Sequence, residues 1–369
     1  MYNALYSNPV DFFKMLFGYG NDNEHFFNNY YVEMNNWNRV YDFNAYNDSR
    51  TIIRVNAAIR LISFGNFHVH TLIFTILSMI GFTAIFKTFK KLFTNKIGAF
   101  TITVFLIPSV IFWSSGALKE SILIFGMGIL IYSMNKLLEK KLGSKHLLIF
   151  ISCIIFLCFI KFYVIIALIP CIIAYITTIK LNIKRPIAVY LPILFLCGIL
   201  AFNSVSIPPY YDFVETIAHK QKDFIRLAEV TDSGSQFKLT KLEPSFTGIV
   251  KVVPEALLNC FIRPLPQSGK SLVYLPSIIE NIIILLSIFL AVFSIFKRKV
   301  TLTWEAKNMV WFSLVFTILL FTIIGLTTPV SGALVRYKVP ALPFLGIAIL
   351  TFLNIDYLSE KIPFLKFLK

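Results

Sequence analysis

The sequence predicts an all-α, polytopic integral membrane protein with about nine transmembrane segments, short outer hairpins and a small external helical cap. Three observations carry this. Hydrophobic residues make up 57% of the 369 and charged residues 15%, with a mean hydropathy of +0.73, as in a chain solvated largely by lipid. The apolar residues fall into runs at roughly 68–86, 97–113, 122–135, 147–160, 162–178, 186–203, 274–296, 308–326 and 340–355. The charge also alternates: the connections after the first, third, fifth, seventh and ninth runs hold 18 of the 35 cations and four of the 19 anions, leaving the opposite side nearly balanced. Positive loops stay cytoplasmic, so the C-terminus is expected in the cytoplasm and the N-terminal segment outside. The formal net charge of +16 is thus a topology signal, and nucleic acid is not an expected partner.

Residues 1–67 are polar and aromatic, with no basic stretch leading into an apolar one, so no signal peptide is read here. Their external placement needs either a first helix acting as a reverse anchor or a further helix upstream. Within them, Arg50–Phe64 alternates apolar residues with Arg50, Arg54 and Arg60, the pattern of an interfacial helix lying on the outer leaflet. Residues 68–203 are assigned to the first six transmembrane helices. Pro108–Ser121 (PSVIFWSSGALKES) is the polar knot of one hairpin, with Lys119 and Glu120 between two apolar runs. Leu147–Thr178 has basic flanks on both sides, which a single crossing would violate. It therefore reads as two short helices with Lys161 and Tyr163 at their outer tip, the second containing Pro170.

Residues 204–273 form the expected cap: one helix over Pro209–Val230, a joint at Thr231–Gln236, and a second helix over Phe246–Ile262 that ends at Arg263-Pro264. Residues 274–369 supply the last three transmembrane helices and a basic tail.

Neither a cofactor nor a metal is expected. Four of the five cysteines lie in apolar runs, the histidines are scattered, and there is no phosphate loop, dinucleotide fingerprint or triad order. What remains is ionisable groups placed where they are expensive, at or beneath the outer boundary. These are Lys119, Glu120, Lys161, Arg263, Glu280, Arg336 and Lys338. Each alone has an ordinary structural reading, as a helix start, a snorkelling lysine or an interfacial anchor. Together they gather five cations on the side where cations are usually thinned out. Arginine forks and lysine point charges under a cap suit a phosphate or pyrophosphate, and a carboxylate beside them suits a general base toward a sugar hydroxyl. Lys119, Lys161, Arg263, Arg336 and Lys338 are therefore the expected phosphate ligands. Glu120, Glu280, Asp42 and Asp48 are the expected catalytic carboxylates.

The strings PSVIFWSSGALKES, FIRPLP followed by IIEN, and RYKVPALPF resemble strings in bacterial polytopic proteins of surface-polysaccharide assembly. The layout, over roughly residues 40–350, is similar to that of GT-C glycosyltransferases and of O-antigen-type repeat-unit polymerases. The first resemblance implies an acidic residue in the first external loop, met here by Asp42 or Asp48. The second implies external arginines, met by Arg263 and Arg336. The expected function is a glycosyltransferase of the bacterial inner membrane, using a polyprenyl-phosphate-linked sugar at the outer face, with membrane lipid as its other partner. The alternatives are a repeat-unit polymerase, a transporter or flippase, and a non-catalytic assembly factor.

Overall fold

The computed structural model describes residues 1–20, 23–38, 47–139, 143–206, 212–265, 274–297 and 302–355, together with Tyr357 and Glu360. Among the described residues the regular elements are helical, and β pairing is confined to one isolated bridge between Gln236 and Val330.

The polar N-terminal stretch has a core of its own. Helices α1 (Ala4–Ser7), α2 (Pro9–Phe17) and α3 (Glu24–Phe26) bury Ala4, Phe12, Met15 and Phe26 with Tyr31 and Trp37, whose rings stack 4.0 Å apart. Helix α4 (Asp48–Ser63) starts where the Asn47 side chain accepts a hydrogen bond from the Ser49 amide, one of the orphan donors of a first turn. Its C-terminal turn leaves Leu61 and Ile62 exposed, while the rest of its apolar side chains pack inward. Ala57 and Ile53 join the N-terminal core, while Ile52, Val55 and Ile59 pack on the main core. The Arg50 and Arg54 guanidiniums lie over Trp37 at 5.2 and 5.4 Å, that of Arg60 lies over Tyr2 at 4.6 Å, and Arg54 Nε donates to the Met15 carbonyl. Arginines that look solvent-bound in sequence are spent on aromatic faces.

Phe64 and Gly65, both at positive φ, end α4, and Asn66 caps α5 (Phe67–Phe89) by accepting from the His68 amide. The next apolar run is broken: α6 (Ile97–Phe105) and α7 (Pro108–Ser114) meet at 47°. Pro108 accounts for the break, since proline disfavours helix in the residue before it and is tolerated at the start of the next. Then come α8 (Lys119–Leu138), α9 (Ser144–Ile160) and α10 (Phe162–Lys180). The extended Lys161, φ −153° and ψ 91°, separates α9 from α10, so Leu147–Thr178 is two helices, as its basic flanks require. Helix α11 (Ile187–Phe202) follows.

In the next segment α12 (Phe213–Val230) is capped by Asp212, which accepts from the Glu215 amide, and α13 (Phe246–Ile262) by Ser245, which accepts from the Gly248 amide. Both helices lie within a residue or a few of where the apolar pattern predicts them. Helix α13 runs against α15 rather than only resting on its end. Ala256 meets the backbone at Gly325, and the Cys260 thiol donates to the Phe321 carbonyl at 3.1 Å. The last elements are α14 (Leu275–Lys297), α15 (Trp304–Thr327), α16 (Ser331–Lys338) and α17 (Leu342–Phe352), with α16 and α17 bent by 67° at Pro340. Helix α15 is the hub, packed by α10, α12, α13, α16 and α17.

All nine apolar runs are helical in the structure, but they are not equivalent. Among the described residues five helices, α5, α8, α10, α14 and α15, are long and apolar enough to cross a membrane, and up to seven spans result if each bent pair counts as one. Helices α9 and α11 are apolar but shorter. Phe195 on α11 and Phe289 on α14 point outward, 73% and 66% exposed, as lipid-facing side chains do.

Where lipid surrounds the helices, association rests on close packing. Helices α5 and α8 touch backbone to backbone at Gly81 and Gly128: a Cβ on Gly128 would overlap the Gly81 carbonyl, and one on Gly81 the Ile124 carbonyl. Gly128→Ala is therefore expected to destabilise the protein by about 1–3 kcal/mol or more, since backbone cannot yield as a flexible side chain does. Gly198, in α11, has nothing within 4 Å of an added Cβ. Gly198→Ala should be neutral or stabilising by up to about 1 kcal/mol through helix propensity. Thermal unfolding of both purified variants in detergent checks the contrast.

Candidate functional site

Glu120 is fully buried in the first turn of α8, and both of its oxygens are taken. Lys161 Nζ donates to Oε1 at 2.7 Å; Arg336 donates through Nε to Oε1 at 2.8 Å and through Nη2 to Oε2 at 2.7 Å. The fork geometry of the guanidinium matches the carboxylate and fixes both in plane. Lys161 comes from the break between α9 and α10 and Arg336 from α16, so one carboxylate ties three distant stretches together. Aromatic rings wall the cluster: Lys161 Nζ lies 4.7 Å from the centre of the Tyr337 ring and 5.7 Å from that of Tyr163, and Arg336 lies 5.3 Å over Trp113. Phe224 of α12 meets Tyr337 edge-on.

Lys119, the neighbour of Glu120, turns the other way. Its Nζ lies 2.9 Å from Asp48 Oδ1 and donates to Ser49 Oγ at 3.1 Å, joining α8 to the first turn of α4. Asp48 is the more open carboxylate, with a quarter of its side chain exposed. Among the described residues the group joins Lys119, Lys161 and Arg336 to the carboxylates of Asp48 and Glu120.

The remaining expected residues form a second group at the C-terminal end of α13. Lys338 Nζ, buried, donates to the carbonyls of Cys260 at 3.0 Å and Arg263 at 2.7 Å, and Asn281 Nδ2 donates to the Ile262 carbonyl at 2.7 Å. A helix leaves its last carbonyls unpaired and carries negative charge at that end, so a lysine and an amide there satisfy both needs. Glu280 accepts from the Ser109 amide and hydroxyl, both at 2.6 Å, at the start of α7. The Arg263 side chain donates to Asn259 Oδ1 at 3.0 Å and lies 3.9 Å from the centre of the Phe237 ring.

The single convergent cluster expected from the sequence is thus divided. Asp48, Lys119, Glu120, Lys161 and Arg336 come together; Arg263 and Lys338 lie at the end of α13, and Glu280 holds the start of α7. Asp42 lies outside the described residues. Glu120, expected as a base, spends both oxygens on cations, and Lys161 and Lys338, expected on phosphate, are spent on Glu120 and on carbonyls. Ser109, Trp113, Asn281 and Tyr337 escaped sequence reasoning, although each stands inside or next to the strings that drew attention. Only the contacts across the fold show what they do.

No family model, curated protein or solved structure matches the chain, so the chemistry rests on this geometry.

Removing one member of a buried charge pair strands its partners. Glu120→Ala should destabilise the protein by about 3–5 kcal/mol, because Lys161 and Arg336 would be left facing each other without the anion. Adding Lys161→Met should recover part of that loss by removing one stranded charge. Melting temperatures of the single and double variants in detergent test this, and a double variant less stable than Glu120→Ala would count against the geometry.

Proposed function

We propose that the protein is a multi-pass membrane enzyme of surface-glycan assembly, transferring a sugar or oligosaccharide from a polyprenyl-phosphate carrier at the outer face of the bacterial inner membrane. In this reading the nine apolar helices are all membrane-embedded, α12 and α13 form the external cap, and the basic C-terminal tail is cytoplasmic. The observation that carries it is the state of Arg336. Its guanidinium is fixed by a buried carboxylate, yet three N–H donors remain without a protein acceptor among the described residues, and 30% of the side chain is exposed. A rigid fork with unspent donors is matched to a phosphate oxygen.

The roles are assigned from residue type and place in the cluster. Arg336 and Lys119 hold the phosphate, and Lys161 and Glu120 hold Arg336. Asp48, exposed to solvent on one side, takes the proton of the acceptor hydroxyl. The new bond joins that oxygen to the sugar's anomeric carbon, and the bond from that carbon to the carrier phosphate breaks. The departing phosphate takes the electron pair and is stabilised by Arg336 and Lys119.

A transporter is the second reading, supported by the two bent helix pairs. Helices α7 and α16, the short halves of those pairs, touch each other beside the charge cluster, and broken helices around buried charge are a transporter pattern.

The lipid-linked oligosaccharides of a deletion strain, profiled by mass spectrometry, decide among these. One complete repeat unit accumulating on lipid means a polymerase, and a unit short by one sugar means a transferase. An unchanged profile would sink the enzyme reading. In complemented strains, Asp48→Asn should lower activity by about 10²-fold or more at normal protein level, the scale of a lost general base. Arg336→Lys, which keeps the charge and loses the fork, should also lower it.

A further inference from the structure

Helices α12 and α13 come from one connecting segment, yet they present different surfaces. Helix α12 exposes Glu215, Lys222 and Glu229, with Leu227 and Val230 confined to its last turn, as suits a helix in water. Helix α13 exposes Phe246, Val250, Leu258 and Ile262, which recur at multiples of four with Pro254 between them; Leu258 is 58% exposed. Its buried ridge, Gly248, Val252, Ala256 and Cys260, is made of smaller residues and brings Ala256 against the backbone of Gly325 on α15. Small residues that let two backbones meet on one side, with large apolar ones left open on the other, are how helices pair in lipid. After Lys251 and Glu255, α13 carries no charge before Arg263.

Two neighbours measure how deep α13 goes. The Cys260 thiol donates to the carbonyl of Phe321, six residues before α15 ends at Thr327. The Ile262 carbonyl accepts from Asn281 Nδ2, six residues after α14 begins at Leu275. Both α14 and α15 are long and apolar enough to cross a membrane, and at about 1.5 Å per residue each contact lies about 9 Å from the helix end. The 24 residues of α15 span about 36 Å and outreach a hydrocarbon layer of about 30 Å by about two residues at each end, so both contacts fall inside that layer. The end of α13 is finished to match. At a surface, water would satisfy its last carbonyls; here the buried Lys338 and Asn281 do so. Ile262 also adjoins an outward-facing side of α14, where Ile279, Ile282 and Ile283 flank Asn281 and are exposed.

We infer that α13 is a re-entrant half-helix: from Ala256 onward it is inserted in the bilayer, with Leu258 and Ile262 against the acyl chains of that leaflet. The cap is thereby rooted in hydrocarbon through α13, while α12 stands in water. This goes beyond the proposed function, since it holds whichever side the leaflet faces and whatever the protein does there.

The test uses the full-length wild-type protein in lipid nanodiscs doped with a phospholipid that carries a diazirine midway along one acyl chain. Ultraviolet irradiation, proteolysis and mass spectrometry then map the side chains that touch acyl chains. Adducts are expected on Leu258 and Ile262 at a yield comparable to that on Ile283 and Phe289 of α14, with none on α12. Adducts on α14 without any on residues 256–262 would overturn the inference. So would equal yields on α12 and α13, which assign the label to any exposed apolar surface. Absence of adducts from α14 as well would overturn it together with the membrane placement of that helix. Leu258→Asp gives a second readout: it should melt well below the wild type in nanodiscs, because a carboxylate in hydrocarbon is costly. An unchanged melting temperature would mean that this face lies in water.

Discussion

A carboxylate without exposed surface, set among apolar helices, is tolerable only while cations and hydrogen bonds surround it. Glu120 is that carboxylate, and the course of the chain around it can be read as the means of supplying Lys161 and Arg336. Desolvation makes such a triad poor evidence of net stability, but it makes the arrangement strongly specific, because any packing that separates the three strands bare charge in a medium of low dielectric. Helices α8, α10 and α16 are thereby fixed at one end, and Lys119, one residue away, extends the linkage through Asp48 to α4 and the N-terminal core.

The same constraint acts on backbone. Helices that end or break among other helices leave carbonyls and amides that water cannot reach, and three such ends here are met by polar side chains. Lys338 and Asn281 close α13, and Lys96 donates to the carbonyls of Leu350 and Leu353 at the end of α17. Glu280 takes the amide and hydroxyl of Ser109 at the start of α7. Several charges that stand out in the sequence are therefore maintaining the breaks in α6–α7 and α16–α17. Those breaks in turn bring Trp113 against Arg336.

Local signals were legible in the sequence and pairings were not. The positions of α12 and α13 and the interruption at Lys161 follow from residue type and spacing, whereas the break at Pro108 falls inside a run read as one segment. That Glu120 would meet a residue 41 positions away and another 216 away has no local signature, because nothing in a run of apolar residues records which helices become neighbours. The contacts of the α4 arginines were hidden for a related reason: amphipathicity gives the direction of the polar face but not what packs on it, and Trp37 and Tyr2 do so here. The polar N-terminal stretch hid a core because its large buried residues, Phe12, Tyr31 and Trp37, are dispersed among asparagines without a helical period.

Lys161 is both a ligand of Glu120 and the one extended residue between two helices. A junction of that length has no slack. An insertion or deletion of one residue there would shift the start of α10 relative to α9, moving the core residues Leu168 and Cys171 and the Lys161 ammonium together. Drift in loop length, which elsewhere in a membrane protein is absorbed by solvent-exposed connections, is closed to the lineage at this point: the spacing of α9 and α10 is as much a part of the charge cluster as the side chains are.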